Sequence, residues 1–140
     1  MDCLFCKIAN KEISSLSVYE DESTLAFLDI HPHGPGHSVV VPKFHVETIL
    51  ELPGEQIEPL FSAVKKVVAL LKERLASDGF TIGINHGRVG GQAVDHLHIH
   101  IIPRYKDDGG GSIHSVVKNM PLESLEAIHN KITQVKHAGS

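Results

Sequence analysis

At 140 residues, with 41 % apolar and 21 % charged side chains, the chain has the size and composition of one globular domain with a single core. Its formal net charge of −4, histidine counted neutral, leaves no basic footprint for a nucleic acid or an anionic membrane. No apolar run is long enough to span a bilayer and no basic-then-apolar leader opens the chain, so neither partner is expected and the expected setting is cytoplasmic.

Residues 3–10 predict a short helix with Phe5 and Ile8 on one side. It opens on Cys3 and Cys6, the only cysteines, which are too close in sequence to staple a fold. Such a pair reads as a redox dithiol, as half of a metal site, or as two inert small side chains. Val18–Glu20 and Leu25–Leu28 predict two short strands around the turn 21–23. Asp29 and Ile30 follow, then the loop His31-Pro-His-Gly-Pro-Gly-His37, whose histidines suit either metal binding or an ordinary solvated turn. Ser38–Val41 is a β-branched strand ended by Pro42, and Lys43–Val46 leads into a short helix through Leu50.

From Glu55 to Ala76 a helical stripe runs through Ile57, Leu60, Phe61, Val64, Val67, Val68, Leu71 and Leu75, with lysines and arginine on the reverse face. Pro59 places the regular start nearer Glu58, and Asp78-Gly79 ends the element, which reads as scaffold. Phe80, Ile82 and Ile84 alternate as a strand that would pair antiparallel with the one after it. The loop between them, 86–95, holds three glycines, and reads either as a hairpin or as a cradle turning backbone N–H groups toward an anion.

Eleven histidines are the outstanding feature of the composition, and three of them stand in His96-Leu-His-Ile-His-Ile-Ile-Pro-Arg104. Period-two alternation predicts a strand with Leu97, Ile99 and Ile101 in the core and His96, His98 and His100 on the other face, neighbouring Cα atoms about 6.5–7 Å apart. A His-x-His pair suits a metal; an unprotonated imidazole equally suits nucleophilic attack on phosphorus. Residues 105–111 compose a linker, 112–117 a strand-like piece, and Pro121 opens a helix striped by Leu122, Leu125, Ile128, Ile132 and Val135. Helices inserted among short strands without βα alternation make the fold class α+β with an antiparallel sheet.

The triad segment, together with Cys3-Leu-Phe-Cys6-Lys-Ile8, Leu25–Ile30, Gly36-His37, Val41–His45 and Gly91-Gln92, resembles the histidine triad (HIT) family of nucleotide hydrolases and nucleotidyl transferases in segment after segment. The resemblance covers residues 3–106. It implies a HIT-like fold, a five-stranded antiparallel sheet with one long and one or more short helices per subunit, with 1–106 as the core and 107–140 as linker and C-terminal helical extension. It implies a homodimer and a purine nucleotide substrate, hydrolysed to an AMP-like monophosphate through a nucleotidyl-histidine. Phosphoramidates and phosphoesters or anhydrides are the implied substrates. Dinucleoside polyphosphate cleavage is the alternative enzyme, and a non-catalytic nucleotide-binding module the alternative outside catalysis.

Carried over residue by residue, the resemblance makes His98 the nucleophile, His100 a hydrogen-bond partner of the phosphate or bridging atom, and Gln92 a third catalytic group. Phe5, Ile8 and Phe27 would form the slot for the base and Asp29 would accept from the ribose hydroxyls. Asn85, Gly91, Gln92 and Ala93 would meet the phosphate or leaving group. Ala93 stands where some branches have a serine that assists departure. Cys3, Cys6, His45 and His96 would hold a structural zinc, and no catalytic metal is implied.

Overall fold

A computed structural model describes residues 2–134 of the chain. The chain divides into two units, Met1–Gly110 and Gly111–Ser140. In the first, the elements run α1 (Leu4–Ala9), β1 (Ser17–Glu20), β2 (Thr24–Leu28), β3 (Ser38–Pro42), a 3₁₀ turn at Ile49–Glu51, α2 (Gly54–Leu75), β4 (Gly79–Gly83) and β5 (Ile99–Arg104). The strands form one antiparallel sheet in the order β1-β2-β3-β5-β4, the five-stranded architecture the resemblance implies.

Strand alternation assigns each face a helix. Ala26 lies opposite Val40 and Val40 opposite Ile99, and these side chains pack with Leu97 and Ile101 against Leu60, Ala63, Val64, Val67 and Leu71 of α2. The other face carries Leu25, Phe27, Val39 and Val41, covered by Cys3, Phe5 and Ile8 of the α1 segment. His100 pairs with Val39, so it opens onto the α1 face. The core side of β5 is therefore filled by apolar packing, and its histidine side is left for chemistry.

Several boundaries differ from the sequence expectation. The short helix expected through Leu50 is a 3₁₀ turn, fixed by a capping box in which Thr48 Oγ1 accepts from Leu50 N and Glu51 Oε1 accepts from Thr48 N. The long helix starts at Gly54, not near Glu58; Pro59 lies inside it, where its ring removes a single main-chain bond, to the exposed Glu55. Its buried stripe is narrower than expected, because Ile57, Phe61 and Leu75 stay 40–49 % exposed. The helix closes on Ala76 in the left-handed conformation, φ 52°. The triad strand begins only at Ile99; His96 lies in a bend, and Leu97 and His98 lead from it into the strand outside the ladder.

In the second unit a 3₁₀ turn, Ile113–Ser115, replaces the strand-like piece. Ser112 Oγ accepts from His114 N, and the Ser115 hydroxyl donates to the Ser112 carbonyl, so local capping outweighs β-branched propensity. Helix α3 spans Leu125–Thr133 and starts after Ser124, whose Oγ accepts from Ala127 N, rather than at Pro121. Leu122 precedes it, Val135 lies outside the described residues, and Leu125 and Ile132 are exposed. No helix among the described residues is long and apolar enough to cross a membrane.

Candidate active site and metal centre

Two carbonyl groups decide what the first two histidines of the row can do. A carbonyl only accepts, so His96 must donate through Nε2 to the Pro42 oxygen at 2.8 Å, and its Nδ1 is left bare. A neutral His98 likewise donates through Nδ1 to the His96 oxygen at 2.7 Å, which leaves its Nε2 bare. Neighbours of the same residue type thus present opposite nitrogens.

The bare Nδ1 of His96 faces Cys3 Sγ at 3.4 Å, Cys6 Sγ at 3.5 Å and His45 Nδ1 at 3.2 Å; Cys6 Sγ lies 3.3 Å from His45 Nδ1. Metal–nitrogen bonds of about 2.0–2.1 Å and metal–sulfur bonds of about 2.3 Å give a regular tetrahedron N–N edges of about 3.3 Å and N–S edges of about 3.5 Å. The observed edges match those values, and all four donor atoms lie within 4.8 Å of one another. Burial, then the neighbouring Cys3 thiol, push the Cys6 thiol up to about 11; a cation in the cage reverses that preference. The Pro42 carbonyl supplies the outer hydrogen bond that fixes a ligating imidazole. The four residues can hold a metal ion, and the donor set suits a thiophilic dication.

At the other end of the row a different logic holds. His37 Nδ1 accepts from the His33 main-chain N–H at 3.0 Å, so a neutral His37 carries its proton on Nε2. That proton points to His100 Nδ1 at 2.9 Å, with Asp29 Oδ2 at 3.5 Å. His100 Nδ1 therefore accepts, and its own proton sits on Nε2. Burial and the neighbouring His98 and His37 push His100 down to about 4, and burial lowers His37, so both rings are neutral near pH 7. Asp29, His37 and His100 are close enough to suggest a second metal group. Ligation through His37 Nε2 would put the ring proton on Nδ1, against the His33 N–H, and two donors would then face each other. The triangle is a hydrogen-bond chain.

The loop that carries His37 is held by Gly36, at φ 89°, where a β-carbon would collide with Leu75 Cδ1 and meet Pro103 Cγ at 3.1 Å. Asp29 turns its second oxygen inward, Oδ1 accepting from the His31 N–H at 2.9 Å. Phe5 stands edge-on to Phe27, with ring centroids 5.5 Å apart, and to His98 at 4.9 Å; Ile8 is buried in the same cluster. The expected slot residues are thus gathered beside His98.

The glycine-rich loop is not the open cradle suggested by its composition. The N–H groups of Gly90 and Gln92 bond to the Gly87 carbonyl, that of Gly91 to Arg88, and that of Gly87 to Gln92 Oε1. Gln92, expected at the phosphate, is 5 % exposed, and both of its amide hydrogens are engaged by the Glu47 and Val94 carbonyls at 2.7 and 3.1 Å. Its side chain ties the loop to the segment after β3. Among the described residues the Ala93 N–H has no partner, so it is left as a donor beside the row. Gly91, at φ 98°, lets the loop pack on the Asn85 amide, which a β-carbon there would approach to 3.4 Å. A cavity of about 400 Å³ runs from Cys3 and His45 to Ala93 and Val94, and another of about 390 Å³ lies by Asp29 and His37. They flank the row, leaving His98 itself under Phe5.

His98 and His100 lie beside Phe5, Ile8 and Phe27, and Cys3, Cys6, His45 and His96 form one cluster, while His37, read from sequence only as a metal ligand or part of a solvated turn, stands against His100. Its signals were its place in the Gly36-His37 segment of the resemblance and directly before β3, the strand that pairs with β5.

A five-stranded antiparallel sheet bearing one buried imidazole with a bare Nε2, beside a second with an Nε2–H, defines a protein built around a row of histidines. The comparisons make that class specific. The HIT domain family pattern matches residues 10–107, and the chain belongs to the HIT family. It is 50 % identical over 123 residues to an uncharacterised HIT-like protein of Methanocaldococcus jannaschii, covering 88 % of this chain and 95 % of that one. It is 33 % identical over 133 residues to an adenosine 5′-monophosphoramidase of Schizosaccharomyces pombe, covering 95 % and 97 %. The crystal structure of a HIT family member from Bacillus subtilis superposes with a TM-score of 0.82 at 37 % identity, covering 98 % of this chain and all of that one. A zinc-bound histidine triad protein from Mycobacterium smegmatis superposes at 0.73 with 35 % identity, covering 77 % and 78 %.

Proposed function

We propose that the protein is a nucleotide hydrolase that releases a nucleoside 5′-monophosphate from a phosphoramidate, or a related ester or anhydride, through a nucleotidyl intermediate on His98. The observation that carries this reading is the 2.7 Å hydrogen bond from His98 Nδ1 to the His96 carbonyl, which leaves Nε2 unprotonated. His98 Nε2 forms a bond to the α-phosphorus as the bond to the leaving group breaks. The leaving atom departs with the electron pair and takes up a proton from solvent. The His96 carbonyl stabilises the positive charge that the ring acquires. Water then attacks phosphorus, Nε2 departs with its pair, and the water's proton returns to solvent.

Around that step the chain's own groups bind and orient. His100 Nε2–H donates to the bridging atom and the Ala93 N–H to a non-bridging oxygen, with the Asn85 amide, packed on Gly91, as a further donor to the phosphate or leaving group. Gln92 and Gly91 shape the loop that carries the amide. Phe5, Ile8 and Phe27 receive a purine base, and Asp29 Oδ2 accepts from the ribose. The matched phosphoramidase of Schizosaccharomyces pombe supports the N–P bond as the one broken. Ala93 offers no hydroxyl to the leaving group, which favours one that departs with no donor beyond His100 and solvent.

The metal of the cage is zinc in this reading, supported by the tetrahedral edges and the zinc-bound relative; it supplies a fixed crosslink and no step of the reaction. The functional unit is a homodimer, and its free cysteines suit a reducing, cytoplasmic setting. Reaction of the purified chain with an adenylate donor, acid-free quenching and peptide mass spectrometry should find the adenylyl group on His98. Label on another residue, or none with turnover intact, would defeat the mechanism. Parallel rates on adenosine 5′-phosphoramidate and diadenosine tetraphosphate should favour the first.

A further inference from the structure

We propose that the metal cage and the nucleotide slot are thermodynamically coupled, so that zinc in the cage tightens nucleotide binding and nucleotide tightens zinc. The proposal rests on the nucleotide reading above for the identity of its second ligand. Two physical routes join the sites. The first is His96 itself: its Nδ1 belongs to the cage, its Nε2 holds the Pro42 carbonyl, and its own carbonyl sets the tautomer of His98. A cation that fixes the His96 ring at Nδ1 therefore also fixes the backbone from which the His98 ring is aimed.

The second route is Phe5. It lies between the two cysteines on α1, and its ring meets His96, His98 and Phe27 edge-on, with centroids 6.0, 4.9 and 5.5 Å away at interplanar angles of 75°, 85° and 72°. Helix α1 has only 6 residues, too few to hold its own shape, so its position comes from what it is attached to. Those attachments are the two sulfur atoms and the apolar contacts of Phe5 and Ile8. Joining both sulfurs to His45 and His96 through one ion ties α1 to β5 and to the segment after β3. The wall of the slot then stands where a base can use it, and the cost of ordering that wall no longer falls on the nucleotide. Phe5 and His96 are positioning residues in this scheme.

Binding linkage is reciprocal, which makes the proposal measurable from either end. AMP binding to the zinc-loaded full chain and to the metal-stripped chain, each checked by circular dichroism to be folded, should differ by about fivefold or more. Saturating AMP should lower zinc loss to a chromophoric chelator by the same factor. Loaded with Co²⁺ instead, the chain should show a shift in the visible ligand-field bands when AMP binds, and Phe5→Leu should reduce that shift even at AMP concentrations raised to saturate the variant. The cobalt arm needs only the loaded protein, so it decides the matter even where the stripped chain does not fold. Equal AMP affinity in the two forms, or cobalt bands indifferent to bound AMP, would overturn the coupling with the nucleotide reading intact. Failure of AMP to bind either form would overturn that reading as well.

Discussion

The two ends of the histidine row gather similar residue types into similar spaces and put them to different uses. At the His96 end, bare nitrogens and two sulfurs face one another across tetrahedral edges of 3.2–3.5 Å. At the His100 end, each nitrogen facing another carries or accepts a proton, in a chain that starts at the His33 main-chain N–H. Proximity is the same in both; the difference lies in what occupies the far nitrogen of each ring. A carbonyl on Nε2 frees the Nδ1 of His96 to face the cage, and an amide on Nδ1 turns His37 into a donor. The row teaches that an imidazole's chemistry is set by its second-nearest contact.

The largest expected effect breaks the row at its middle. His98→Asn should reduce turnover by about 10⁴-fold or more, with nucleotide binding by calorimetry largely kept, because only the nucleophile is removed. Near-wild-type turnover would show that the bare Nε2 is idle.

Next comes acid. His100 titrates at about 4 in the fold against 6.5 in the unfolded chain, so below pH 6.5 the unfolded state gains a proton that the folded state does not. Stability contributed by its neutral form is complete above pH 6.5 and is lost as the pH falls to 4, on the order of 3 kcal/mol from this ring. His37, also lowered by burial, acts in the same direction. Denaturant melts from pH 7 to pH 4 should show the midpoint falling through that window, and His100→Asn should flatten the fall. A midpoint that rises on acidification would contradict the neutral chain.

Breaking the chain further from phosphorus should cost less. His37→Phe removes the donor that holds the His100 tautomer and should slow kcat about 10²-fold with little change in KM. His37→Gln, which keeps an N–H donor, should recover part of that loss; equal defects in the two variants would mean that the ring acts only by filling space. The smallest effect belongs to Asp29→Ala, which should erase about tenfold of the preference for ribo- over deoxyribonucleotides in measured dissociation constants. An unchanged preference would take Asp29 off the ribose.

How much of this was legible beforehand can be traced through single residues. Leu97, Ile99 and Ile101 announced a core face by period alone, and exposures of 1 %, 1 % and 0 % agree. The stripe of α2 was equally plain, though its rim at Ile57 and Phe61 was not, since periodicity tells which side is apolar and not how much of it a neighbour covers. Starts of helices went to serine and threonine caps at Ser112, Ser124 and Thr48, local bonds that prolines and β-branched runs did not forecast.

By itself the sequence determined the class of the fold, the row of three imidazoles, the pair of sulfurs near the start and the family to which the chain belongs. These are properties of composition, spacing and order along the chain, which need no third dimension. Only the tertiary structure decided which nitrogen of each neutral ring is bare, that the Gln92 amide bonds the Glu47 and Val94 carbonyls, and that His37 stands behind His100. The reason is that a proton's place on imidazole depends on carbonyl and amide groups up to 54 residues away in sequence, as Pro42 is from His96, and only folding brings those groups within 3 Å.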